Sequence, residues 1–415
     1  MISYFCIRLL ALPLQWVPLS WIRSLGNFFG GLLFYLVPHW RKRVLSNLSL
    51  ATGLFLSEEE KLRVAKASFQ NLAIVCLEYP RLWSEKKLSS SIVCVNPDAV
   101  QKIYDQGKGV VFFCGHLSNW EVLFLEGNTR MCGIAAGKPI RNERLYRWIV
   151  AIREKYGGKI VAQSAVMKEG IRTLRRGGFV GIVGDQAMPS SGYSFPFLGR
   201  RAWTSTAPAL LSYRTGSPLV VTWSKRTPQG YQIFRSDPIW PNRALPPEQE
   251  IPRMMDRSLE IFEAAVRSSP GEWLWQHNRW KQQTPARVYK RFRHDAVALF
   301  LPPNPEAFLP HLSTLRKIYP LEFLFLAAPT SCQGQDLSFV DELFFYRQPS
   351  DLFLNDQRCK LIFNFSGHAA LKRHYLRRSA LEVIDLPLLQ KLAKLPKETD
   401  LSMLFYRALC RGPHA

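Results

Sequence analysis

The sequence predicts an α/β fold with a mostly parallel central sheet and flanking helices, preceded by a hydrophobic N-terminal membrane anchor and followed by a second, smaller α/β unit. Three observations carry this prediction. Residues 2–38 are almost wholly apolar, strand-like apolar runs then alternate with helix-like segments, and the alternation restarts after a polar segment. Alternating strands and helices favour parallel sheets, because parallel neighbours need a crossover connection. The 415 residues suffice for two or three domains.

The apolar N-terminus indicates a membrane contact. A spanning helix needs about 20 apolar residues, whereas the best candidate, 24–37, has only 14, and the basic triplet Arg41-Lys42-Arg43 follows it. We therefore predict that residues 1–43 form an interfacial or marginally inserted anchor, with tryptophans at headgroup depth and the basic triplet facing the cytoplasm. A cleaved signal peptide fits less well, because the apolar region is long and no small-residue cleavage site is visible.

The main domain is predicted at 44–285. The acidic run Glu58-Glu59-Glu60 follows Ser57 and indicates the first turn of a helix that continues to about Glu78. Short apolar runs predict strands at 91–95, 109–113, 133–136, 159–161, 179–183, 219–224 and 232–234. The segments between them predict helices at 97–106, 119–130, 142–156, 166–176, 204–215 and 251–269.

A polar segment separates this domain from the C-terminal unit. Residues 281–295 are rich in Lys, Arg and Gln, and we interpret 286–295 as a linker. Residues 296–415 restart the pattern, with strands at 296–301, 321–327, 360–365 and 382–386 and helices near 304–318, 367–379 and 387–395. This unit has no glycine-rich phosphate loop and no recognisable catalytic cluster, so the sequence does not indicate its role. His368 and His374 are interpreted as lying on a solvated helix face, without a third ligand for a metal.

The charge favours an anionic partner. The formal net charge is +23, and residues 1–289 carry 38 basic against 20 acidic side chains. Nucleic acid, an anionic membrane surface and an acidic carrier protein are all compatible with such a field. No zinc-finger spacing or aromatic–basic RNA-binding pattern is present, which disfavours nucleic acid. The eight cysteines are scattered without a CxxC pair, as is typical of reduced thiols in a cytosolic compartment.

The most informative segment is Cys114-Gly115-His116-Leu117-Ser118-Asn119-Trp120-Glu121. It follows the predicted strand 109–113, and ligands bind at the carboxyl ends of strands in open α/β sheets. The glycine permits a sharp turn, after which Ser118 or Asn119 is expected near a helix N-cap. Five helical positions correspond to about 140° of rotation. His116 and Glu121 can therefore meet only if the histidine lies in the turn.

A histidine beside a carboxylate can serve as a general base. The carboxylate would hold one imidazole tautomer and stabilise the protonated form. Deprotonation of a hydroxyl by His116 would let the oxygen attack an activated acyl carbon. The alternative is a histidine that merely packs at a strand end.

Three further blocks offer polar groups near predicted strand ends. Residues 138–144 place Arg141 and Arg144 at a helix start, where an arginine can bind phosphate or simply be solvated. Asp185 and Gln186 follow the strand 179–183 and precede an aromatic loop at 194–204, which could line an apolar channel. The tryptophan-rich block 270–281 is more typical of packing than of a surface. It adds two weak candidates for anion contacts, His277 and Arg279.

The order of these blocks resembles the late acyltransferases of lipid A biosynthesis in Gram-negative bacteria, over about residues 1–285. HLSNWE at 116–121 matches the family's H-x4-D/E motif, which is weak by itself. The resemblance becomes specific because further matches to the family follow in the same order along the chain. They lie at Arg141-Asn142, at Gly184-Asp185-Gln186, at 195–199 and at 272–280. Leu117 stands where the family often has phenylalanine.

The resemblance implies a glycerolipid acyltransferase-like enzyme at the cytoplasmic face of the inner membrane. It would transfer a fatty acyl chain from acyl carrier protein to a hydroxyl of a lipid A precursor, without a metal or other cofactor. His116 would be the general base and Glu121 would orient it. Arg141 and Arg144 would bind phosphate or steady the transition state. The remaining substrate-binding candidates are Asn119, Asp185, Gln186, His277 and Arg279.

Backbone amides at 115–119 are expected to help stabilise the oxyanion. Two other functions stay open from the residues alone. The first is acyl transfer to a lysophospholipid or another glycerolipid, which would share the H-x4-D/E motif and the anchor. The second is a non-catalytic membrane-associated binding protein. Residues 296–415 lie outside the resemblance.

Overall fold

Two mostly parallel sheets with flanking helices dominate a computed structural model of the chain, which describes residues 2–84, 88, 91–396 and 399–412. The chain divides into two compact units. The first comprises residues 1–36 and 53–274, and the second comprises residues 37–52 and 275–415. The predicted α/β class with parallel sheets is confirmed.

The chain begins with helices. They are α1 (Ile2–Ala11), α2 (Leu19–Leu36), α3 (Pro38–Leu50), which belongs to the second unit, and α4 (Glu58–Ser84). Helix α2 packs on α4 so closely that a Cβ at Gly30 would lie 2.4 Å from Cα of Gln70. Among the described residues, no helix has both the length and the apolar character needed to cross a membrane. The anchor predicted for residues 1–43 therefore lacks a spanning helix to support it.

The first unit is built on a seven-stranded sheet. Its strands are β1 (Ile92–Cys94), β2 (Val110–Cys114), β3 (Gly133–Gly137), β4 (Lys159–Ala162), β5 (Phe179–Val183), β8 (Leu219–Arg226) and β9 (Tyr231–Arg235). Two strands between β5 and β8, β6 (Ser194–Phe197) and β7 (Arg200–Trp203), form a separate hairpin. The order in the large sheet is β1-β9-β8-β2-β5-β3-β4. Strands β9 and β8 pair antiparallel, and the other neighbours pair in parallel.

Helices flank this sheet where the sequence places them. They are α5 (Asp98–Asp105), α6 (Glu121–Asn128), α7 (Glu143–Arg153), α8 (Val166–Arg175), α9 (Ala207–Thr215) and α10 (Pro247–Ser268). All five residues of β2 are buried, as expected for a parallel strand covered on both faces. Strands β2 and β5 are adjacent and parallel, so the residues that follow them meet at one edge.

The aromatic loop predicted at 194–204 is instead the β6–β7 hairpin. Its turn residues, Leu198 and Gly199, have φ of +51° and +84°, as a tight two-residue hairpin requires. Phe197 stacks on Phe262 of α10, with ring centroids 6.2 Å apart. The hairpin thus packs into the core, and its described residues do not line the cavity beside His116.

The second unit contains a five-stranded parallel sheet of order β12-β11-β10-β13-β14. Its strands are β10 (Ala296–Phe300), β11 (Phe323–Pro329), β12 (Glu342–Tyr346), β13 (Leu361–Asn364) and β14 (Glu382–Asp385), and its later helices are α11 (Ser313–Ile318), α12 (Ala370–Arg377), α13 (Leu386–Ala393) and α14 (Leu401–Leu409). The predicted linker 286–295 is part of this unit, because Val288 and Phe292 are buried in its core.

Candidate active site

His116 lies in a turn after β2, as predicted. The local packing requires glycine at position 115: a Cβ there would lie 2.1 Å from Cζ of Phe262 and 2.8 Å from Cγ of Asp185. Asp185 follows β5, the neighbour of β2. The parallel register therefore brings His116 and Asp185 together.

Asp185 makes the closest polar contacts with His116. Its Oδ1 lies 2.8 Å from Nδ1 of His116. Its Oδ2 accepts the backbone N–H of His116 at 2.8 Å and the Nε1–H of Trp273 at 2.7 Å. The carboxylate is fully buried. Because an ionised carboxylate only accepts hydrogen bonds, Nδ1 of His116 carries the hydrogen and the basic lone pair is on Nε2.

This environment strengthens His116 as a base. Burial disfavours the charged imidazole, but the negative charge of Asp185 and its hydrogen bond outweigh burial and raise the pKa of His116. The charge of Glu121 acts in the same direction, and Arg153 opposes it. A base with a raised pKa accepts a proton from a hydroxyl more readily.

Glu121 makes its closest contacts away from the imidazole. Nε and Nη2 of Arg153 donate to its two carboxylate oxygens at 2.8 and 2.6 Å, and Nε1 of Trp120 donates at 3.0 Å. Burial opposes ionisation of Glu121, yet Arg153 lowers the pKa of its carboxyl group. Glu121 thus contributes negative charge near His116, whereas Asp185 makes the contact at Nδ1. The orienting role assigned to Glu121 remains a prediction.

The turn holds a strained residue. Ser118 has φ of +53°, a region that costs a residue other than glycine about 1 kcal/mol or more. Its N–H donates to the carbonyl of Glu272 at 2.9 Å, and its carbonyl accepts from Nδ2 of Asn71 at 3.1 Å. These two contacts fix the backbone conformation that places His116.

Asn119 supports the turn and is buried rather than open to a substrate. It is 1% exposed. Its Nδ2 donates to Oε2 of Glu78 at 2.9 Å, and its Oδ1 accepts the N–H of Glu121 at 3.3 Å, at the start of α6. Asn71 and Glu78 are seven positions apart on α4, which corresponds to about two helical turns, so both lie on one face of that helix. From this face Asn71 contacts Ser118, and Glu78 contacts Asn119.

The expected oxyanion amides are largely occupied. The N–H of His116 donates to Asp185, the N–H of Leu117 to the carbonyl of Gly115 at 2.8 Å, and the N–H of Ser118 to the carbonyl of Glu272. The expectation that these three amides stabilise an oxyanion is therefore wrong.

The tryptophan-rich block serves as support for the turn. Trp273 pairs with Leu117 in an isolated β-bridge, and the N–H of Leu274 donates to the carbonyl of His116 at 3.0 Å. This agrees with the packing interpretation. The remainder of the block belongs to the second unit, where Arg279 is fully buried and the carbonyl of His277 accepts from Nδ2 of Asn47.

The predicted phosphate-binding arginines lie near the start of α7. The N-cap is Asn142, whose Oδ1 accepts the N–H of Leu145 at 3.1 Å. Arg141 and Arg144 are exposed, and the guanidinium of Arg144 lies 5.7 Å from the ring centre of Phe5. Exposed arginines at a helix start can meet an anionic headgroup.

A cavity of about 630 Å³ opens beside His116. Polar groups line part of it, among them Gln186, Lys138 and Arg153. Apolar side chains from β2, β5 and α6 line much of the remainder. The cavity thus joins a basic imidazole to a largely apolar space, which suits a reaction at the head of a fatty acyl chain.

Several residues that shape this site are not predicted by the sequence pattern. Asn71, Glu78 and Arg153 lie far from the motif in sequence, and the sequence pattern indicates only that they belong to helices. Trp273 was recognised as part of a block but not as a hydrogen-bond donor to Asp185. These contacts depend on how α4, α7 and the segment after α10 pack, which periodicity alone does not specify.

The family to which the chain is similar is identified by comparison with known protein families. Residues 1–282 match the model of the family described as bacterial lipid A biosynthesis acyltransferase. A comparison with curated proteins found no match.

Proposed function

The chain belongs to the bacterial lipid A biosynthesis acyltransferase family, and we propose that it transfers a fatty acyl chain from acyl carrier protein to a hydroxyl of a lipid A precursor, with His116 as the general base. The family establishes that the protein is an acyltransferase of lipid A biosynthesis. The observation that carries the mechanism is the His116–Asp185 contact beside a largely apolar cavity.

In this mechanism Nε2 of His116 takes the proton from the acceptor hydroxyl. The hydroxyl oxygen attacks the thioester carbonyl, an ester bond forms, and the carbon–sulfur bond breaks. The departing thiolate takes the proton from the imidazolium, which restores the base. Asp185 holds the tautomer and stabilises the imidazolium. Lys138 and Arg153 line the cavity and place positive charge near the carbonyl oxygen as it becomes negative.

The charge of the chain supports the proposed donor and acceptor. The formal charge of +23 suits an acidic carrier protein and a phosphorylated lipid. Arg141 and Arg144 are proposed to contact the phosphates of the acceptor. Gln186 lines the cavity, where it can contact either substrate. His277 and Arg279 stay proposals for anion contacts in the second unit.

A transfer assay tests the substrate pair. The purified full chain is supplied with acyl carrier protein thioesters or coenzyme A thioesters, and with a lipid A precursor or a lysophospholipid. We expect product from the carrier protein donor and the lipid A precursor. Transfer to lysophospholipid alone would select the glycerolipid alternative, and product from coenzyme A thioesters alone would refute the proposed donor.

We also propose that the first unit attaches to the cytoplasmic face of the inner membrane through the outer surface of α1, α2 and the segment between them. Trp16 and Trp21 are 72% and 69% exposed. Five neighbouring apolar side chains are also exposed: Leu9, Leu10, Phe28, Tyr35 and Leu36. Large apolar side chains exposed in such number on an N-terminal segment are typical of a membrane or protein contact.

Replacing Trp16 and Trp21 by serine should weaken binding to anionic phospholipid vesicles about a hundredfold, because burying each aromatic side chain contributes about 1.5 kcal/mol or more. Vesicle flotation measures the binding. Trp240, 45% exposed in the same unit, is the matched control, and Trp240→Ser should bind like the wild type. Equal losses in both variants would exclude this surface as the attachment site.

A further inference from the structure

The cavity beside His116 extends down one face of the main sheet. Its inner wall is aromatic: the ring of Phe179 lies edge-on to those of Phe112 and Phe124, with centroids 5.5 and 5.7 Å apart. Phe179 is in register with Val110 at the start of β2, four residues before Cys114. At about 3.3 Å per residue this wall lies about 13 Å from the strand end that carries His116.

Gly181 keeps this space wide. It lines the cavity from the middle of β5. A Cβ at this position would meet Cδ2 of Phe124 at 3.7 Å and Cβ of Ala135 at 3.9 Å. Those are ordinary contact distances, so a small side chain would fit but would occupy volume that glycine leaves open.

Arg235 adds a charge to the wall of this apolar space, beside Thr222 of β8, which the strand register places level with Cys114. It is the last residue of β9, only 4% exposed, and lines the cavity. Its guanidinium lies 5.4 Å from the ring centre of Phe112. Nη2 donates to Oε2 of Glu126, whereas Nε and Nη1 have no hydrogen-bond acceptor among the described residues.

The charge of Arg235 is only partly compensated. Glu126, the carboxylate that it contacts, also accepts from Nε of Arg130 at 2.6 Å. Two guanidinium groups therefore share one carboxylate. Arg130 is partly exposed and does not line the cavity, so of these two guanidinium groups only that of Arg235 faces the cavity.

We propose that Arg235 bounds an acyl slot and sets the longest chain that the enzyme accepts. The inference rests on the proposed function in taking an acyl chain as the occupant of the cavity. Nε and Nη1 of Arg235 are already out of contact with solvent, and the ion pair with Glu126 holds the guanidinium in place. A chain long enough to press on the guanidinium would have to displace it from Glu126, which leaves a buried cation unpaired and costs more than burying one further methylene gains.

Binding is measured without transfer by calorimetry, using alkyl thioethers of pantetheine with chains from octyl to octadecyl. For the wild type, we expect affinity to rise with length and then to fall. Arg235→Met should move this fall to chains at least two carbons longer and raise the affinity ratio of long to short chains about tenfold. Arg235→Lys keeps the charge and should keep the fall at or near the wild-type length.

Arg130→Met is the matched control. It removes the other guanidinium from Glu126 without changing the cavity wall, so its length profile should equal that of the wild type. Gly181→Ala narrows the slot and should move the fall to shorter chains, which provides a test even if Arg235→Met does not fold. Unchanged profiles in both cavity variants, equal shifts in Arg235→Met and Arg130→Met, or no thioether binding to the wild type would overturn the proposal.

The same variants are then assayed for transfer from acyl carrier protein thioesters. A length limit in binding without any transfer would leave the slot in place and refute the proposed function. Transfer by the wild type whose length profile is unaffected by Arg235→Met and Gly181→Ala would leave the function in place and refute the slot.

Discussion

Replacing His116 by glutamine is expected to lower the rate constant for acyl transfer about 10³-fold, within the range that a positioned general base contributes. Glutamine can still donate a hydrogen bond to Asp185, but it has no group that accepts the hydroxyl proton. The KM for the acyl donor should change little, because the imidazole acts on the acceptor hydroxyl. Single-turnover transfer from an acyl carrier protein thioester to the lipid A precursor measures the loss.

The matched control is His311→Gln. His311 also contacts a polar partner through Nδ1, the hydroxyl of Ser402 at 3.0 Å, but it lies in the second unit and is not in the motif. This variant should keep wild-type activity. Thermal unfolding of His116→Gln should resemble that of the wild type. If a folded His116→Gln retained more than about a tenth of the activity, the imidazole would not be the base.

The sequence predicts the strand framework well because strand signals are local. The run Phe179–Val183 was predicted with its observed ends, since a short β-branched and aromatic run between a glycine pair and polar residues is typical of a strand. By contrast, the helix predicted at 304–318 is shortened to Ser313–Ile318. Pro305 and Pro310 lie in the missing part, where a proline removes a helical hydrogen bond and restricts the residue before it.

The candidate site was predicted only as far as adjacent strands determine it. His116 and Asp185 end neighbouring strands, so parallel pairing brings them together. The sequence gives no means of deciding which carboxylate meets Nδ1, because Glu121 is nearer in sequence and Asp185 is 69 positions away. Arg153 occupies Glu121 by donating to both of its carboxylate oxygens, which leaves Asp185 as the contact of Nδ1. That pairing depends on how α7 packs near Glu121.

Asp185→Asn is expected to cause a loss of about 10³ to 10⁴-fold, for a reason that follows from the contacts of Asp185. Its Oδ2 accepts two N–H groups, from the backbone of His116 and from Trp273. An asparagine must place its carbonyl oxygen there, so its NH2 group faces Nδ1 of His116. Nδ1 of His116 must then accept a hydrogen bond from this NH2 group. The ring hydrogen therefore moves to Nε2, which no longer has a lone pair to act as the base. A comparable change of tautomer lowers kcat about 10⁴-fold in serine proteases.

The pH dependence separates the two carboxylates. The base acts unprotonated, and the pKa of His116 is raised above its ordinary value of 6.5, so wild-type activity should fall as the pH drops through a value above 6.5. Asp185→Asn removes the largest raising influences, and the fall in its residual activity should move to lower pH. Glu121→Gln keeps the contact at Nδ1 and removes only a more distant charge. Its acid limb should move less in the same direction, with a loss of about tenfold. A larger loss and a larger shift for Glu121→Gln than for Asp185→Asn would assign the orienting role to Glu121 instead.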